Sequence, residues 1–351
     1  MLRTLLHSRC SSFFRLHSTL HHTHQGTMAK LIGTHNGHFH CDEALAVHML
    51  RQTKMFQGAD LIRTRDASRL ATCDVVVDVG GVYDPSTHRY DHHQRGFTEV
   101  FGGKFDTKLS SAGLVYKHFG KEIIASLLNL SESDAKVELL HNKVYENFIE
   151  ALDAGDNGIS QYPPEIKPRY RSGTALPQRV GGLNPWWNQK DVDQDGQFNK
   201  AVQMTGEDFT DAVRYLGLSW LPARDLVVEA LDKRMDIHPS GKILVFDQSC
   251  PWKEHLFNLE DELRIQEQEK PLYVLYPDDN GQWRVQCVPP SPESFECRKA
   301  LPQEWRGFRD DELSERSGIP LSVFVHMSGF IGGNKTKEGA LAMAVKSMES
   351  S

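Results

Sequence analysis

VVVDVGGVYDPSTHRYDHHQ, residues 75–94, is the stretch whose reading settles the fold. Val75, Val76 and Val77 form a β-branched apolar run that suits a strand buried on both faces. The run delivers Asp78 to the carboxyl end of that strand, where Gly80 and Gly81 signal a turn. Ligands of open α/β sheets collect in the crevice outside such strand ends. Asp91-His92-His93 follows in the same stretch, three groups able to bind a metal or to orient its ligands. Taken singly, a strand-ending Asp can cap a turn, and an Asp-His-His triplet can be a solvated polar turn. Together they direct attention to a second set of ligands elsewhere.

That set lies upstream. Ile32-Gly33-Thr34 ends a short apolar segment and opens onto His35-Asn36-Gly37-His38-Phe39-His40-Cys41-Asp42-Glu43, which is dense in metal-binding groups. A third candidate is Leu152-Asp153-Ala154-Gly155-Asp156-Asn157-Gly158. Carboxylates mixed with imidazoles suit Mn²⁺ best, with Mg²⁺ as the alternative, and no cysteine-rich tetrahedral set calls for structural zinc. Two such ions about 3.5–4 Å apart can clamp a phosphoryl group and activate water. Asp78 is the natural bridge between them, since one carboxylate can serve both.

The order of these motifs resembles the DHH phosphoesterase superfamily. THNGHFHCDEALA, RTRD, VVDVGGVYDP, RYDHHQRGF and DNGIS resemble more closely one family, the melanocyte-proliferating-gene family of 3′→5′ RNA exonucleases. The resemblance covers essentially everything after Met28. It implies that His35, His40 and Asp42 divide between two metals, with His92 and one of Asp153 or Asp156 completing the second. It further implies that Asp91 orients His92, and that His93 binds the scissile phosphate or protonates the leaving oxygen. The chain departs from the superfamily's pyrophosphatases in having His40 where they carry Asp, which lowers the negative charge at one metal. His38 reads as a non-ligand and Cys41 as packed. Arg63 and Arg65 follow a strand end on the same face and can either hold phosphates or form a solvated pair.

Composition sets outer bounds. With 39% apolar and 25% charged residues the chain reads as a soluble globular enzyme of two domains. No apolar run approaches the roughly 18 residues of a spanning helix, so no membrane insertion is expected. Six cysteines form no CxxC pair and read as free thiols. A net charge of −7 argues against a long nucleic-acid footprint, though not against an enzyme that grips a chain end with metals supplying positive charge.

Residues 1–28 are Arg- and Ser-rich, and no acidic residue precedes Asp42. That is the composition of a mitochondrial transit peptide. It directs the product to the mitochondrial matrix, and a product started at Met28 to the cytosol or nucleus. Residues 29–205 then alternate strand and helix, which implies a mainly parallel sheet flanked by helices. Helices are expected over 44–55, 111–128 and 131–152, and strands ending near Gly33, over 59–64 and over 75–79. Residues 160–200 read as irregular loops anchored by Trp186 and Trp187. Residues 206–238 read as a helical connector, broken near Leu221 by Pro222.

Residues 239–351 read as a smaller α/β domain, with a hairpin turn at Asp278-Asp279-Asn280-Gly281. After a strand over 322–326 comes Ser328-Gly329-Phe330-Ile331-Gly332-Gly333-Asn334-Lys335, then a helix from Thr336. A plain strand–turn–helix is the commoner meaning of such glycines. The resemblance adds that DHH enzymes hold the phosphate end of the substrate with a glycine-rich segment here. His326, Gly332, Gly333 and Lys335 are therefore substrate-binding candidates, although His326 precedes the glycines instead of following them. The favoured expectation is a metal-dependent 3′→5′ exonuclease on single-stranded RNA. A phosphoesterase of pyrophosphate or a dinucleotide, and a non-catalytic RNA-binding protein with a structural metal, are the alternatives.

Overall fold

A computed structural model describes residues 29–350. The transit-peptide reading falls on residues 1–28 and lies outside the described residues. Strands β1 (Leu31–Thr34), β2 (Asp60–Arg63), β3 (Val75–Val77), β4 (Tyr83–Asp84) and β5 (Arg89–Tyr90) form one sheet in the order β2-β1-β3-β5-β4. All neighbours are parallel except β4 and β5. The valine run is thus the central strand, and all three valines are buried. Crossovers put helices on the faces, as a parallel sheet requires.

Helix α1 (Cys41–Arg51) follows β1 and is buried along nearly its whole length, because α3 (Ser111–Leu128) and α7 (Gln194–Tyr215) pack around it. Between α1 and α3 lie the short α2 (Ala67–Leu70) and a hairpin of β6 (Val100–Gly102) and β7 (Phe105–Lys108). Ser110 caps α3, its hydroxyl accepting the Gly113 N–H. The helix expected over 131–152 is α4 (Ala135–Val144), a π-helical turn (Tyr145–Ile149) and α5 (Glu150–Asp156). A short α6 (Leu176–Gly181) interrupts the loops after α5. Trp186 and Trp187 do not anchor those loops: they are 65% and 96% exposed.

The expected connector is shared out between two cores. Phe209, Val213, Leu216 and Trp220 pack into the first core. A π-helical turn at Leu216–Trp220 then redirects the chain into α8 (Leu221–Asp232), whose Val227, Ala230 and Leu231 belong to the second. Pro222 sits in the first turn of α8, where its missing N–H costs nothing.

After α9 (Arg234–Ile237), the second part is a five-stranded sheet of β8 (Ile243–Val245), β9 (Tyr273–Pro277), β10 (Trp283–Cys287), β11 (Ser322–Val325) and β12 (Ile331–Asn334), covered by α10 (Trp252–Glu262), α11 (Asp310–Ser317) and α12 (Lys337–Glu349). Its order is β11-β12-β10-β9-β8, parallel only between β8 and β9.

Here the glycine expectation is corrected. Gly332 and Gly333 lie within β12, paired on one side with Val285 and Arg284 and on the other with Val325 and Phe324. Their backbone amides belong to a ladder, not to an open anion cradle. A side chain at Gly332 would meet Leu301 at 2.9 Å and the Phe324 carbonyl at 3.0 Å, so glycine is needed for close strand packing. Lys335 donates its backbone N–H to the Leu321 carbonyl, and His326 shapes the β11–β12 turn by a 2.9 Å contact with the Ser328 hydroxyl.

Candidate metal centre

Asp78 stands one residue beyond β3 with φ +56°, a left-handed conformation that costs free energy for any side chain but glycine. Its backbone N–H still bonds to the Tyr90 carbonyl, so the sheet holds the strain in place. The turn projects the Asp78 carboxylate, almost wholly buried, toward the start of α1.

That helix starts earlier than its periodicity suggests, at Cys41, with His40 at the N-cap. Glu43 reaches back and accepts the His40 backbone N–H at 2.9 Å. The same Glu43 oxygen lies 3.0 Å from Nε2 of His35, which is also 3.3 Å from Asp78. Burial opposes charge on His35, but hydrogen bonds to Asp78 and Glu43 overcome it and lift the ring to about 10. Glu43 is therefore a metal-ligating candidate that the ligand set read from sequence missed. Starting the helix at Ala44 left it in the loop; its position three residues after the cap was the usable signal.

Asp42 points the other way, onto the N-terminus of α3. It accepts the Ser110 hydroxyl at 2.6 Å, the Ser111 N–H at 3.1 Å and the Ala112 N–H. A helix N-terminus stabilises an anion, and here the anion is a side chain of the protein itself. Burial, reinforced by the nearby Asp78 and Asp156 charges, nevertheless pushes Asp42 well above the usual carboxylate range.

Asp153 and Asp156 part company. Asp153 is fully buried and accepts the Ser110 N–H at 2.9 Å, the Ser110 hydroxyl at 2.7 Å and the Tyr145 hydroxyl at 3.0 Å. It supports α3 and belongs to none of the groups of side chains placed to hold a metal. Burial lifts it to about 7 despite those donors. The one Ser110 hydroxyl thus lies between two carboxyl groups, those of Asp42 and Asp153. Asp156, at the end of α5, instead meets Nε2 of His92 at 2.9 Å.

The triplet is also re-sorted. Asp91 accepts the backbone N–H groups of Gly81 and His93, at 2.6 and 3.0 Å, and approaches Nδ1 of His93 at 2.8 Å. Asp91 thus orients His93, not His92 as expected. Burial works against its ionisation, and those donors hold it below the usual carboxylate range all the same. His92 has the Ser111 hydroxyl at Nδ1, 3.2 Å away.

Three overlapping sets emerge, within each of which the ligand atoms lie within 4.8 Å of one another: His35, His40, Glu43 and Asp78; Asp78, Asp91, His92 and His93; Asp42, His92 and Asp156. Asp78 and His92 each belong to two. Among the described residues the ionic partners of Asp42, Glu43, Asp78 and Asp156 within 4 Å are all histidines, with no Lys or Arg. Buried carboxylates without a cation are costly, and divalent metal ions are what this donor set fits. The sets open onto a cleft of about 540 Å³ whose wall includes Arg65 and His38. Burial and the flanking Asp42 push the Cys41 thiol up, and the residue is buried at the edge of the cleft.

Arg63 is not part of that wall. Its side chain is 2% exposed and donates to Asp195 at 3.0 Å and the Gly37 carbonyl at 2.7 Å, over the rings of Phe198 and Phe39. It clamps the His35–His40 loop instead of facing the cleft. His326, Gly332, Gly333 and Lys335 are likewise absent from the cleft wall.

An α/β sheet that gathers buried carboxylates and imidazoles at its strand ends defines a candidate metal-dependent centre. Residues 31–348 match the family MYG1_exonuc, described as an uncharacterised protein family (UPF0160). The MYG1 exonuclease of Homo sapiens is 53% identical over 322 residues, covering 89% of this chain and 84% of its own. The MYG1 proteins of Caenorhabditis elegans and Dictyostelium discoideum are each 50% identical, over 92% and 91% of this chain and 96% and 97% of their own. The chain belongs to this family.

Proposed function

We propose that this protein is a metal-dependent phosphodiesterase acting as a 3′→5′ exonuclease on single-stranded RNA, with Mn²⁺ as the preferred metal. The observation that carries the reading is the pair of shared ligands, Asp78 and His92, which joins three ligand sets into one continuous centre. Relatives named MYG1 exonuclease support the nuclease class. The order of the motifs supports assignment to the DHH phosphoesterases.

His35, His40, Glu43, Asp42, Asp78, His92 and Asp156 would hold the ions. Bound there, divalent metals supply Lewis-acid polarisation of a phosphoryl oxygen and a water that ionises near neutral pH. The chain's own residues do the rest. His93 keeps Nδ1 on Asp91 and leaves Nε2 free, from which the doubly protonated ring would give a proton to the departing oxygen and return to the neutral form. Its side chain is 61% exposed on the cleft wall, so a substrate can reach it. Arg65, exposed on the same wall, offers a cation to a neighbouring phosphate.

A 5′-labelled RNA oligomer incubated with the protein and Mn²⁺ should shorten stepwise from its 3′ end, and a 3′-blocked oligomer should resist. Internal cuts, or no cleavage with metal restored, would overturn the reading. The composition of residues 1–28 supports action in the mitochondrial matrix, with a Met28-started form in the cytosol or nucleus. A reporter fused to 1–28 that stays diffuse would remove that part.

A further inference from the structure

With the glycine segment locked in a sheet, something else must grip a polymer. Two exposed stretches are joined through the chain to residues that line the cleft. The first leaves α5 just past Asp156 and returns at α6, where Pro177 and Gly181 line the cleft. Between them runs Tyr162-Pro163-Pro164-Glu165-Ile166-Lys167-Pro168-Arg169-Tyr170-Arg171, exposed throughout. It carries three cations against one carboxylate in a chain of net charge −7. Among the described residues Lys167, Arg169 and Arg171 make no ion pair, whereas the nearby Arg63 and Arg179 are both paired, with Asp195 and Asp208. Tyr170 is 80% exposed between two of those arginines.

The second stretch is Trp186-Trp187, tethered to the loop between β1 and α1. Asn184, two residues earlier, donates to the Phe39 carbonyl at 2.8 Å and accepts the Phe39 N–H at 3.0 Å. Phe39 sits between His38 and His40, so the indoles begin within about 7 Å of chain from the cleft wall. An exposed aromatic by itself is ordinary. Exposed aromatics together with unpaired cations, tied by the chain to the residues of one cleft, match what single strands require: cations for phosphates and flat faces for bases.

We infer that residues 162–171 and the Trp186-Trp187 pair form the track that holds a single-stranded polynucleotide leading into the metal centre. Lys167, Arg169 and Arg171 face phosphates, while Tyr170 and the two tryptophans stack bases. The inference rests on the phosphodiesterase reading for what happens at the end of the track, but binding along it needs no catalysis. Because phosphates and base faces are common to RNA and DNA, both strands bind, and a duplex of the same sequence binds less well.

The test uses the full chain in two assays. Anisotropy of 5′-labelled single-stranded RNA, DNA and duplex is followed in EDTA, where nothing is cut; cleavage is followed separately with Mn²⁺. The triple variant Lys167→Ala, Arg169→Ala, Arg171→Ala should weaken single-strand binding at least tenfold and reduce the slope of log affinity against log salt by about 2. Trp187→Ala should weaken it about tenfold with little change in that slope. These positions are exposed, so the variants should fold as the wild type does. If the wild type cuts the oligomer while both variants bind and cut it with unchanged KM, the track is overturned and the enzyme reading stands. If the wild type binds with the predicted losses but cuts nothing, the track stands and the enzyme reading falls. Preference for the duplex in EDTA would also overturn the track.

Discussion

Nδ1 of His93 lies 2.8 Å from Oδ1 of Asp91, and the other oxygen of that carboxylate accepts the Gly81 N–H at 2.6 Å. The Asp78–Gly81 turn and the Asp91–His93 triplet are therefore fastened by one side chain. Asp91 fixes which nitrogen of His93 faces the cleft, in the way that supporting carboxylates orient catalytic or ligating imidazoles.

Asp91→Asn should lower kcat by about 10- to 100-fold with KM little altered, because the ring loses its fixed tautomer. Bound metal, measured by elemental analysis, should stay at the wild-type level. Loss of metal in this variant would make Asp91 a ligand instead of a positioning residue.

Arg63 gives a stability prediction. Its guanidinium is sealed under Phe39 and Phe198 and holds the Gly37 carbonyl. Arg63→Ala should cost on the order of 2 kcal/mol in denaturant unfolding, through lost packing and an orphaned carbonyl. A phosphate-binding arginine would behave oppositely, with unfolding unchanged and KM for the oligomer raised.

The parts legible in sequence were those whose cause is local. Three β-branched residues ending in Asp and glycines specify a buried strand with a ligand at its tip, and Val75–Val77 with Asp78 is that arrangement. Ser110 and Pro222 mark a cap and a helix start for reasons contained within one turn. Other features are decided at a distance. Gly332 and Gly333 look like a loop until Leu301 and the Phe324 carbonyl, brought in from elsewhere, require glycine inside a strand. Asp153 and Asp156 are three residues apart on one helix. Only the placement of α5 against α3 sends the first to Ser110 and the second to His92. Nothing beside Arg63 in the sequence says that two phenylalanines will close over it.

Asp153 makes a prediction about pH in metal-free protein. Its folded value, about 7, lies above the ordinary carboxylate value, so the folded state binds a proton that the unfolded state has released. Between about pH 4 and 7 this group therefore removes stability as pH rises, by at most about 1.4 kcal/mol per pH unit. Asp153→Asn has no such proton to lose. Unfolding in EDTA should show the variant gaining on the wild type from pH 4 to 7 and holding its gain above. A constant difference across that range would mean that Asp153 is ionised in the fold.

If one buried carboxylate joins two ligand sets of a metal centre, Asp78→Asn should disable both at once. Asn tolerates the left-handed backbone that Asp78 adopts, so the turn should survive while a charged ligand is lost. Metal-stripped wild type and variant are titrated with Mn²⁺, and bound metal per chain and hydrolysis of a 5′-labelled RNA oligomer are measured on the same samples. The variant should bind less metal and lose activity by about 10³-fold or more, with its melting curve in EDTA near that of the wild type. Wild-type metal content together with wild-type turnover in Asp78→Asn would contradict it.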